Sequence, residues 1–296
     1  MNKQNLRTDQ KKILVIAGGG KKHLAPFEKE ATTASFSDLN YETDGKASLM
    51  VGKTPLSEFD LIYIRLVGKR FEDLALLVRE AKRLGIPVID RAFSHSGFAR
   101  LPISKLLETK LFSEAGLPIP KTIFGRLREI AEKGPTLFGY PFVVKSTTGK
   151  QGHEVWAPRN ESELKDLLIK LIDEEKKGKR FLAQEFIKAP KRIRVLVIGD
   201  KAVGAIERPT RWRKRFSQEP VKRQGLKEVP NEIASLAKDA TKALMLDIAG
   251  VDILETMDGR LYLLEVNSAP RWEAIKKDTG LEVEAEILTF LKNGNF

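Results

Sequence analysis

The chain has 296 residues, 42% hydrophobic and 31% charged, and its 52 lysines and arginines against 40 acids give a net charge of +12. The length allows about two or three domains, and the positive charge favours polyanionic partners such as nucleotides, nucleic acids or acidic peptides. The absence of cysteine excludes disulfides and thiolate chemistry. No apolar run approaches the roughly 18 residues of a membrane span. Because the polar start also lacks a signal-peptide pattern, we expect a cytoplasmic protein with no membrane partner.

The first third of the chain alternates strands with one helix. The apolar run at 13–17 predicts a buried strand, and His23 stands where a dinucleotide-binding motif would need its third glycine. Further strands are predicted at 59–68 and 86–90, on either side of an amphipathic helix at 71–85. This order predicts a small parallel α/β unit over residues 11 to 100. We expect residues 40 to 58 to be irregular.

Two features of the next segment suit a nucleotide. A helix is predicted at 103–116 with Ile103, Leu107 and Leu111 on its apolar side, and Lys105 lies off that side. Taken alone, Lys105 reads as a solvated surface lysine. A strand ends in Lys145, and the loop that follows offers glycine N–H groups and threonine hydroxyls to phosphate oxygens. Taken alone, the loop is more typical of a simple connection between two strands of a hairpin.

A hairpin about Gly199 and Asp200 follows an apolar strand at 181–188. A two-residue turn there predicts that Arg192 opposes Glu207 and that Arg194 opposes Ala205. The segment 208–223, which we call the basic segment, then carries seven arginines and lysines against one acid, with Trp212 and Phe216 among them. It is either a solvated loop or a segment that binds an anion.

The stretch GVDILETMDGRLYLLEVNSAP at 250–270 predicts a second hairpin, with Asp258 and Gly259 in its turn. In that register Asp252 faces Glu265, and Asn267 points to the same side of the sheet. Opposed carboxylates repel each other, and with the carboxamide they form the oxygen cluster that a hard cation prefers. The alternative is a solvated polar strand end, which the apolar neighbours of these residues make less favoured.

The phrases SKLLETKLFSEAGLPIP, PFVVKSTTGKQG, QEFI, AIER and IAGVDILETMDGRLYLLEVNSAP, in this order, resemble the ATP-grasp ligases, specifically the RimK-like branch that joins glutamate to a carboxylate. The resemblance runs from about residue 47 to the C-terminus. It implies an α/β fold, α+β in the C-terminal part, in three pieces. These are an N-terminal pre-ATP-grasp domain at 1–100, a central subdomain with a phosphate-covering loop at 101–188, and a C-terminal subdomain with the metal site at 189–296.

The resemblance also implies a site residue by residue. Lys105 and Lys145 would contact ATP phosphates, and Asp252, Glu265 and Asn267 would hold Mg²⁺, with Mn²⁺ as a substitute. Arg194, Arg213 and Arg215 would be the catalytic cations. The remaining nucleotide-binding residues would be the covering loop, Thr147, Thr148, Gly149, Gln151 and Gly152, and the adenine hinge, Gln184, Glu185, Phe186 and Ile187.

The sequence departs from the family pattern at the substrate side. Arg192 stands where the family commonly has an aspartate thought to hold the ribose, and we expect it to pair with Glu207. The basic segment lacks the asparagine that usually follows its arginine. After Asn267 the chain reads Ser-Ala-Pro-Arg, where the family tends to read Ala-Ser-Pro-Gly.

These features together predict an ATP- and Mg²⁺-dependent carboxylate–amine ligase that works through an acylphosphate. Its partners would be an amino-acid donor, such as glutamate, and an acidic peptide, protein or small-molecule carboxylate acceptor. One alternative keeps the enzyme but gives it a dipeptide or a cofactor to modify. Another is a basic nucleic-acid-binding protein on a ligase scaffold, which has no evident use for opposed carboxylates. Self-association is left open.

Overall fold

The computed structural model describes residues 11–44, 46–95, 104–147, 154–294 and 296. Its N-terminal unit contains a four-stranded parallel sheet in the order β2-β1-β6-β7, as the α/β pattern predicts. The elements are β1 (Ile13–Ala17), β2 (Thr32–Ser35), β3 (Leu39–Asp44), β4 (Lys46–Val51), β5 (Thr54–Pro55), β6 (Leu61–Leu66), α1 (Phe71–Leu84), β7 (Val88–Ile89) and α2 (Arg91–His95).

The expectation of an irregular segment at 40–58 is wrong. Strands β3, β4 and β5 form a separate antiparallel sheet there. The sequence carried the signal, because Asp-Gly at positions 44 and 45 is the dipeptide that favours tight hairpins.

The central unit is a four-stranded sheet in the order β10-β9-β11-β8, with antiparallel pairing and two helices packed against it. The elements are α3 (Lys105–Glu114), β8 (Thr122–Gly125), α4 (Leu127–Phe138), β9 (Phe142–Ser146), β10 (Val155–Trp156), α5 (Glu161–Lys176) and β11 (Phe181–Glu185).

The predicted apolar side of α3 is right for Leu111, which packs against the core, but wrong for Leu107. Leu107 is 48% exposed, whereas Glu108 and Phe112 are buried. The helix begins at Lys105 after the N-cap Ser104, whose hydroxyl accepts a hydrogen bond from the Leu107 N–H at 3.3 Å. Its buried side contacts α6 (Asn231–Ala243) and β16 (Leu261–Asn267), so Glu108 faces the last strand of the chain. Ile103, the third residue of the predicted stripe, lies outside the described residues.

The C-terminal unit is a five-stranded antiparallel sheet in the order β14-β13-β12-β15-β16. Besides α6 and β16, its elements are β12 (Lys191–Ile198), β13 (Lys201–Pro209), β14 (Gln224–Leu226), β15 (Ile248–Glu255), α7 (Glu273–Thr279) and α8 (Val283–Asn293). Among the described residues, no helix is long and apolar enough to cross a membrane.

The predicted register of the β12–β13 hairpin is wrong for its arginines. A bulge between Leu196 and Val197 shifts the pairing by one residue, so Arg192 opposes Arg208 and Arg194 opposes Ile206. Because a shift of one residue sends side chains to the other face, the expected pair of Arg192 with Glu207 does not form. Glu207 instead lies 3.6 Å from the Lys191 ammonium.

In the last hairpin the predicted pairing at the site is confirmed: Asp252 faces Glu265, and Gly250 faces Asn267. The predicted two-residue turn is wrong, however. The loop holds three residues, with the Thr256 N–H donating to the Arg260 carbonyl at 2.9 Å and Gly259 at φ 82°. A bulge between Asp252 and Ile253 compensates for the extra loop residue, so the register at the carboxylates is the predicted one.

The hydrophobic cores position the site. The N-terminal and C-terminal units share two cores, one of which joins Leu14 and Leu74 to Val195 and Val251. The central unit has its own core around Phe142 and Phe181. A cleft therefore lies between the central sheet and the C-terminal sheet. The boundaries at 100/101 and 188/189 stay a prediction, and the first falls outside the described residues.

Candidate active site

The cleft between the two sheets has a volume of about 990 Å³ and is lined mainly by strands. The central sheet contributes Val143 and Lys145, and the C-terminal sheet contributes Arg194, Asp252 and Glu265. Strand register determines most of the lining, since alternate side chains such as Val143 and Lys145 on one strand, or Asp252 and Leu254 on another, face the cleft. The cleft is the size of sites that bind whole cofactors or substrates.

The carboxylates on the floor of the cleft are close to each other and partly paired. Asp252 is 1% exposed, and both of its oxygens accept from Arg194, at 2.8 Å from Nε and 2.6 Å from Nη2. This pairing raises the pKa of Arg194, which is charged in any case. Asn267 donates from its amide nitrogen to Glu265 Oε1 at 3.3 Å. The three predicted metal residues therefore lie together, and the Arg194 guanidinium lies next to them.

The donor set fits a hard cation that has further oxygen ligands. Each carboxylate oxygen can accept two interactions, so the contacts with Arg194 leave Asp252 able to bind a metal ion. The described residues hold no cluster of three or more histidines, aspartates or glutamates that could bind a metal without other help. Two carboxylates and one amide match Mg²⁺, which usually takes its remaining ligands from water and substrate phosphates.

Two lysines border the carboxylates. Lys105 at the start of α3 and Lys145 on β9 both line the cleft, so the solvated-surface reading of Lys105 is wrong. Burial and the Lys105 ammonium lower the pKa of Lys145 to about 8, and Glu108 and Glu265 oppose that shift. An anion placed between the lysines would restore the charged form of Lys145. The pair is thus suited to phosphate oxygens.

Glu108 is a site residue that the sequence reasoning missed. It is 5% exposed, and its Oε1 accepts a hydrogen bond from the backbone N–H of Val266, between Glu265 and Asn267. Burial, with a smaller contribution from the neighbouring Glu265, raises the pKa of Glu108 to about 8, against the opposing effects of the Val266 N–H and the two lysines. Glu108 therefore ties α3 to the strand that presents the predicted metal residues. A helix period alone could not predict this contact, which joins residues 158 positions apart.

The predicted adenine hinge lies at one end of the cleft. The side chains of Gln184 and Glu185 are hydrogen-bonded to the start of β8 and to the residue before it. Gln184 Nε2 donates to Thr122 Oγ1 at 2.7 Å, and the Lys121 N–H donates to Glu185 Oε1 at 2.8 Å. Phe186 and Ile187 follow β11 and line the cleft. In the described part of the chain, no hydrogen bond engages the N–H of Ile187 or the carbonyl of Phe186. These backbone groups can pair with the edge of a base.

The basic segment folds back over the hinge. The Trp212 and Phe216 rings pack against Phe186, with centroids 5.7 Å and 6.1 Å away. The Arg213 guanidinium donates to the Ser217 and Glu219 carbonyls, and Arg215 Nη1 donates to the Ala157 carbonyl at 3.0 Å.

Arg213 and Arg215 therefore stabilise the shape of the segment, and neither lines the cleft as the predicted catalytic cations would. Their catalytic role stays a prediction without support from this geometry. The basic segment contributes Arg211 to the cleft lining instead, and Arg271 lies there too, at the end of the chain's last hairpin.

A second missed residue, Arg65, comes from the N-terminal unit. Its side chain is 5% exposed, donates from Nη2 to the Pro270 carbonyl at 2.9 Å, and stacks 4.0 Å over the Trp272 ring. Arg65 thus fixes the segment that carries Arg271. The signal available in the sequence was an arginine inside the apolar run at 59–68.

The predicted phosphate-covering loop is described only at its start. The backbone N–H of Thr147, a buried residue, donates to the Arg180 carbonyl at 3.0 Å. Thr148, Gly149, Gln151 and Gly152 lie outside the described residues. Their role in nucleotide binding stays a prediction.

Known proteins of this type match the chain. The sequence profile of the RimK-like ATP-grasp domain matches residues 103–291. The "Probable alpha-L-glutamate ligase" of Trichodesmium erythraeum (strain IMS101) is 30% identical over 251 residues, covering 82% of this chain and 80% of that protein. The "Ribosomal protein bS6--L-glutamate ligase" of Shigella flexneri serotype 5b (strain 8401) is 32% identical over 196 residues, covering 64% of this chain and 63% of that protein.

A solved structure shares the fold. The ATP-grasp ligase PsnB, complexed with a phosphomimetic variant of its minimal precursor, Mg and ADP, superposes with a TM-score of 0.71 over 95% of this chain and 97% of that one. At 17% identity this likeness concerns the fold alone, and it confirms the predicted ATP-grasp architecture. Because the profile covers more than half of the sequence and the relatives are ligases, the chain belongs to the RimK-like ATP-grasp family and is an ATP-grasp ligase.

Proposed function

We propose that this ligase uses ATP and Mg²⁺ to form an amide bond through an acylphosphate, adding glutamate or a similar amino acid to a peptide or protein carboxylate. The observation that carries the proposal is the meeting of Lys105 and Lys145 with Asp252, Glu265 and Asn267 in one cleft. Glutamate is the preferred donor because two relatives are named as glutamate ligases. A peptide or protein acceptor is supported by the ribosomal protein in one of those names and by the precursor bound to PsnB.

The reaction needs activation because a carboxylate cannot expel oxide. An acceptor carboxylate oxygen attacks the γ-phosphorus of ATP and the bond to the β-phosphate oxygen breaks, giving an acylphosphate and ADP. The donor amine then attacks the carbonyl carbon, phosphate leaves with the carboxylate oxygen, and the nitrogen loses a proton. Such phosphoryl transfer depends mainly on positioning and cancellation of charge.

The residues of the cleft have separate tasks in this scheme. Asp252, Glu265 and Asn267 would hold Mg²⁺, which would supply positive charge to offset that of the phosphate groups. Lys105 and Lys145 would bind the phosphates from the other side. The backbone of Phe186 and Ile187 would pair with adenine, and Glu108 would keep the metal-binding strand in place. Mn²⁺ is expected to substitute for Mg²⁺.

The first test measures ADP release with ATP, Mg²⁺, a panel of amino acids and a panel of acidic peptides, and it identifies products by mass spectrometry. Glutamate should add a defined mass to one peptide class. A peptide labelled with ¹⁸O in its carboxylate should pass one ¹⁸O to the released phosphate, as an acylphosphate requires. No substrate-stimulated ADP release across the panel, or unlabelled phosphate, would count against the proposal.

Matched variants connect the activity to the cleft. Glu265→Gln should abolish Mg²⁺-dependent ADP release, whereas Glu286→Gln, an exposed acid on α8, should leave it unchanged. Small-molecule carboxylates belong in the acceptor panel, because turnover with them alone would favour the small-molecule ligase. Nucleic-acid binding is not proposed, since several cations of the basic segment are engaged by the protein's own carbonyls and by Asp278.

A further inference from the structure

Two arginines lie directly opposite each other in the C-terminal sheet. Arg192 on β12 pairs in register with Arg208 on β13, so both side chains project from the same face. Opposed side chains have Cβ atoms about 5 Å apart, and like charges at that separation destabilise a sheet. The arrangement therefore has a cost unless an anion lies between or above the two guanidinium groups.

The acids nearby do not supply that anion. Glu207 and Glu255 both pair with Lys191, Asp252 pairs with Arg194, and Asp278 pairs with Arg223. Within the described residues, no ion pair involves Arg192 or Arg208.

Arg208 is also incompletely satisfied as a donor. Its Nε is buried and has no hydrogen-bond partner in the described part of the structure. Burial and the charges of Arg223, Arg194 and Arg192 lower the pKa of Arg208, so its surroundings disfavour the charged form that arginine nevertheless keeps. An oxyanion would accept from the guanidinium and cancel the repulsion at once.

Arg192 is placed to meet a ligand in the cleft, and Arg208 lies directly behind the lining as its partner across the sheet. Arg192 lines the cleft two residues before Arg194, hence about 7 Å from it along the strand and on the same face. It lies on the C-terminal sheet, whereas Lys105 and Lys145 come from α3 and the central sheet. Arg192 and the two lysines thus line one cleft from different elements, and Arg194, which lies between Arg192 and the carboxylates, is already paired with Asp252.

We propose that Arg192 and Arg208 form an anion subsite of the cleft, separate from the lysines, that binds a carboxylate or phosphate group of a substrate. This deepens the proposed function, on which it rests for the identity of the substrate. Two sources share the chemistry: a carboxylate of the acceptor or donor, in addition to the reacting groups, and a phosphate carried on a nucleotide ribose. Both present the paired oxygens that a guanidinium binds best.

The experiment measures anion binding directly, so it needs no turnover. Glutarate, a simple dicarboxylate, is titrated by calorimetry into protein saturated with ADP and Mg²⁺. In the second arm, 5′-AMP is compared with adenosine 2′,5′-bisphosphate. Arg192→Gln should weaken binding of the relevant probe about tenfold or more, the range for a lost hydrogen bond to a charged group. Arg260→Gln, an exposed arginine of the same sheet's last hairpin, removes the same charge and should change nothing.

A second variant separates the subsite from a general folding effect. Arg192→Asp places an acid opposite Arg208, so it should raise the midpoint of thermal unfolding above that of the wild type while abolishing anion binding. A rise in stability with a loss of affinity is a signature that a misfolded variant cannot give.

Each outcome decides the matter. If Arg192→Gln binds glutarate more weakly than the wild type does, the subsite binds a substrate carboxylate. If Arg192→Gln instead loses the wild type's preference for adenosine 2′,5′-bisphosphate over 5′-AMP, the subsite binds a ribose phosphate. If the wild type binds neither probe, if Arg192→Gln binds both as well as the wild type does, or if Arg192→Asp is no more stable than the wild type, the subsite is refuted. If Arg192→Gln loses anion binding but the wild type turns over no substrate of the panel, the subsite stands and the proposed addition of glutamate to a peptide is rejected.

Discussion

Replacing Arg194 should expose how much the fold depends on the pairing within the cleft. Asp252 is 1% exposed, and its two oxygens accept hydrogen bonds from Arg194 at 2.6 and 2.8 Å. Arg194→Gln would leave a buried carboxylate without its counter-charge. Removing one partner of a buried pair costs about 3–5 kcal/mol. The Arg194 side chain is 25% exposed, so water can reach the gap, and we expect the low end, about 3 kcal/mol.

The assay is urea unfolding followed by circular dichroism, with EDTA present so that no metal replaces the guanidinium. Arg260→Gln is the control, because its pair with Asp258 is exposed and screened by water, so its loss should leave the stability nearly unchanged. The double variant Arg194→Gln/Asp252→Asn removes both charges and should recover most of the loss. Mg²⁺ with ADP should stabilise Arg194→Gln more than it stabilises the wild type. An Arg194→Gln protein as stable as the control would refute this reasoning.

Three further predictions concern residues in and next to the cleft. The pKa of Glu108 lies near 8, above its ordinary 4.5, so the neutral carboxyl contributes stability that is fully present below pH 4.5 and is lost as the pH rises through about 8. Glu108→Gln should flatten urea-unfolding stability between pH 5 and pH 8, and an unchanged slope would contradict the assignment. The pKa of Lys145 is lowered from 10.5 to about 8, so ADP binding at a pH of about 8.5 should take up protons. Calorimetry in two buffers of different ionisation heat should detect this uptake, and Lys145→Arg should abolish it; equal uptake in that variant would assign the proton elsewhere. Gly250 faces Asn267, and a Cβ at Gly250 would lie 2.9 Å from the Pro270 Cβ. Gly250→Ala should therefore displace the Pro270–Arg271 segment and raise the KM for the acceptor at least severalfold. An unchanged KM would show that this segment does not touch the acceptor.

The parts of the fold that could be predicted from the sequence are those that follow from hydrophobic periodicity and from residues that end helices or form turns. The parallel unit around β1 and β6, the helix α1 ending at Gly85, and the pairing of Asp252 with Glu265 all came from such local patterns. The pairing succeeded although the turn was misjudged, because a bulge restored the register. In the β12–β13 hairpin a similar bulge had the opposite effect and moved Arg192 from Glu207 to Arg208. Bulges depend on the strain and twist of the whole sheet, and one sequence carries little sign of them.

The missed site residues share a different cause. Glu108 contacts Val266 across 158 positions, and Arg65 contacts Pro270 across 205. No local pattern encodes which helix turn meets which strand end, because that depends on how separate units pack. For Arg65 the available signal was a charged residue in an apolar segment, which indicates a buried partner without naming it, whereas Glu108 lies in a mixed helix that carries no such signal.

The central claim is that the facing carboxylates hold the metal ion that serves a nucleotide in this cleft. Crystals grown with ADP and Mn²⁺ would test it through the anomalous scattering of manganese. We predict an anomalous peak within ligand distance of Asp252 and Glu265, next to the ADP phosphates, and its loss in Glu265→Gln crystals. Bound ADP with no peak there, or with manganese held by other side chains, would contradict the account.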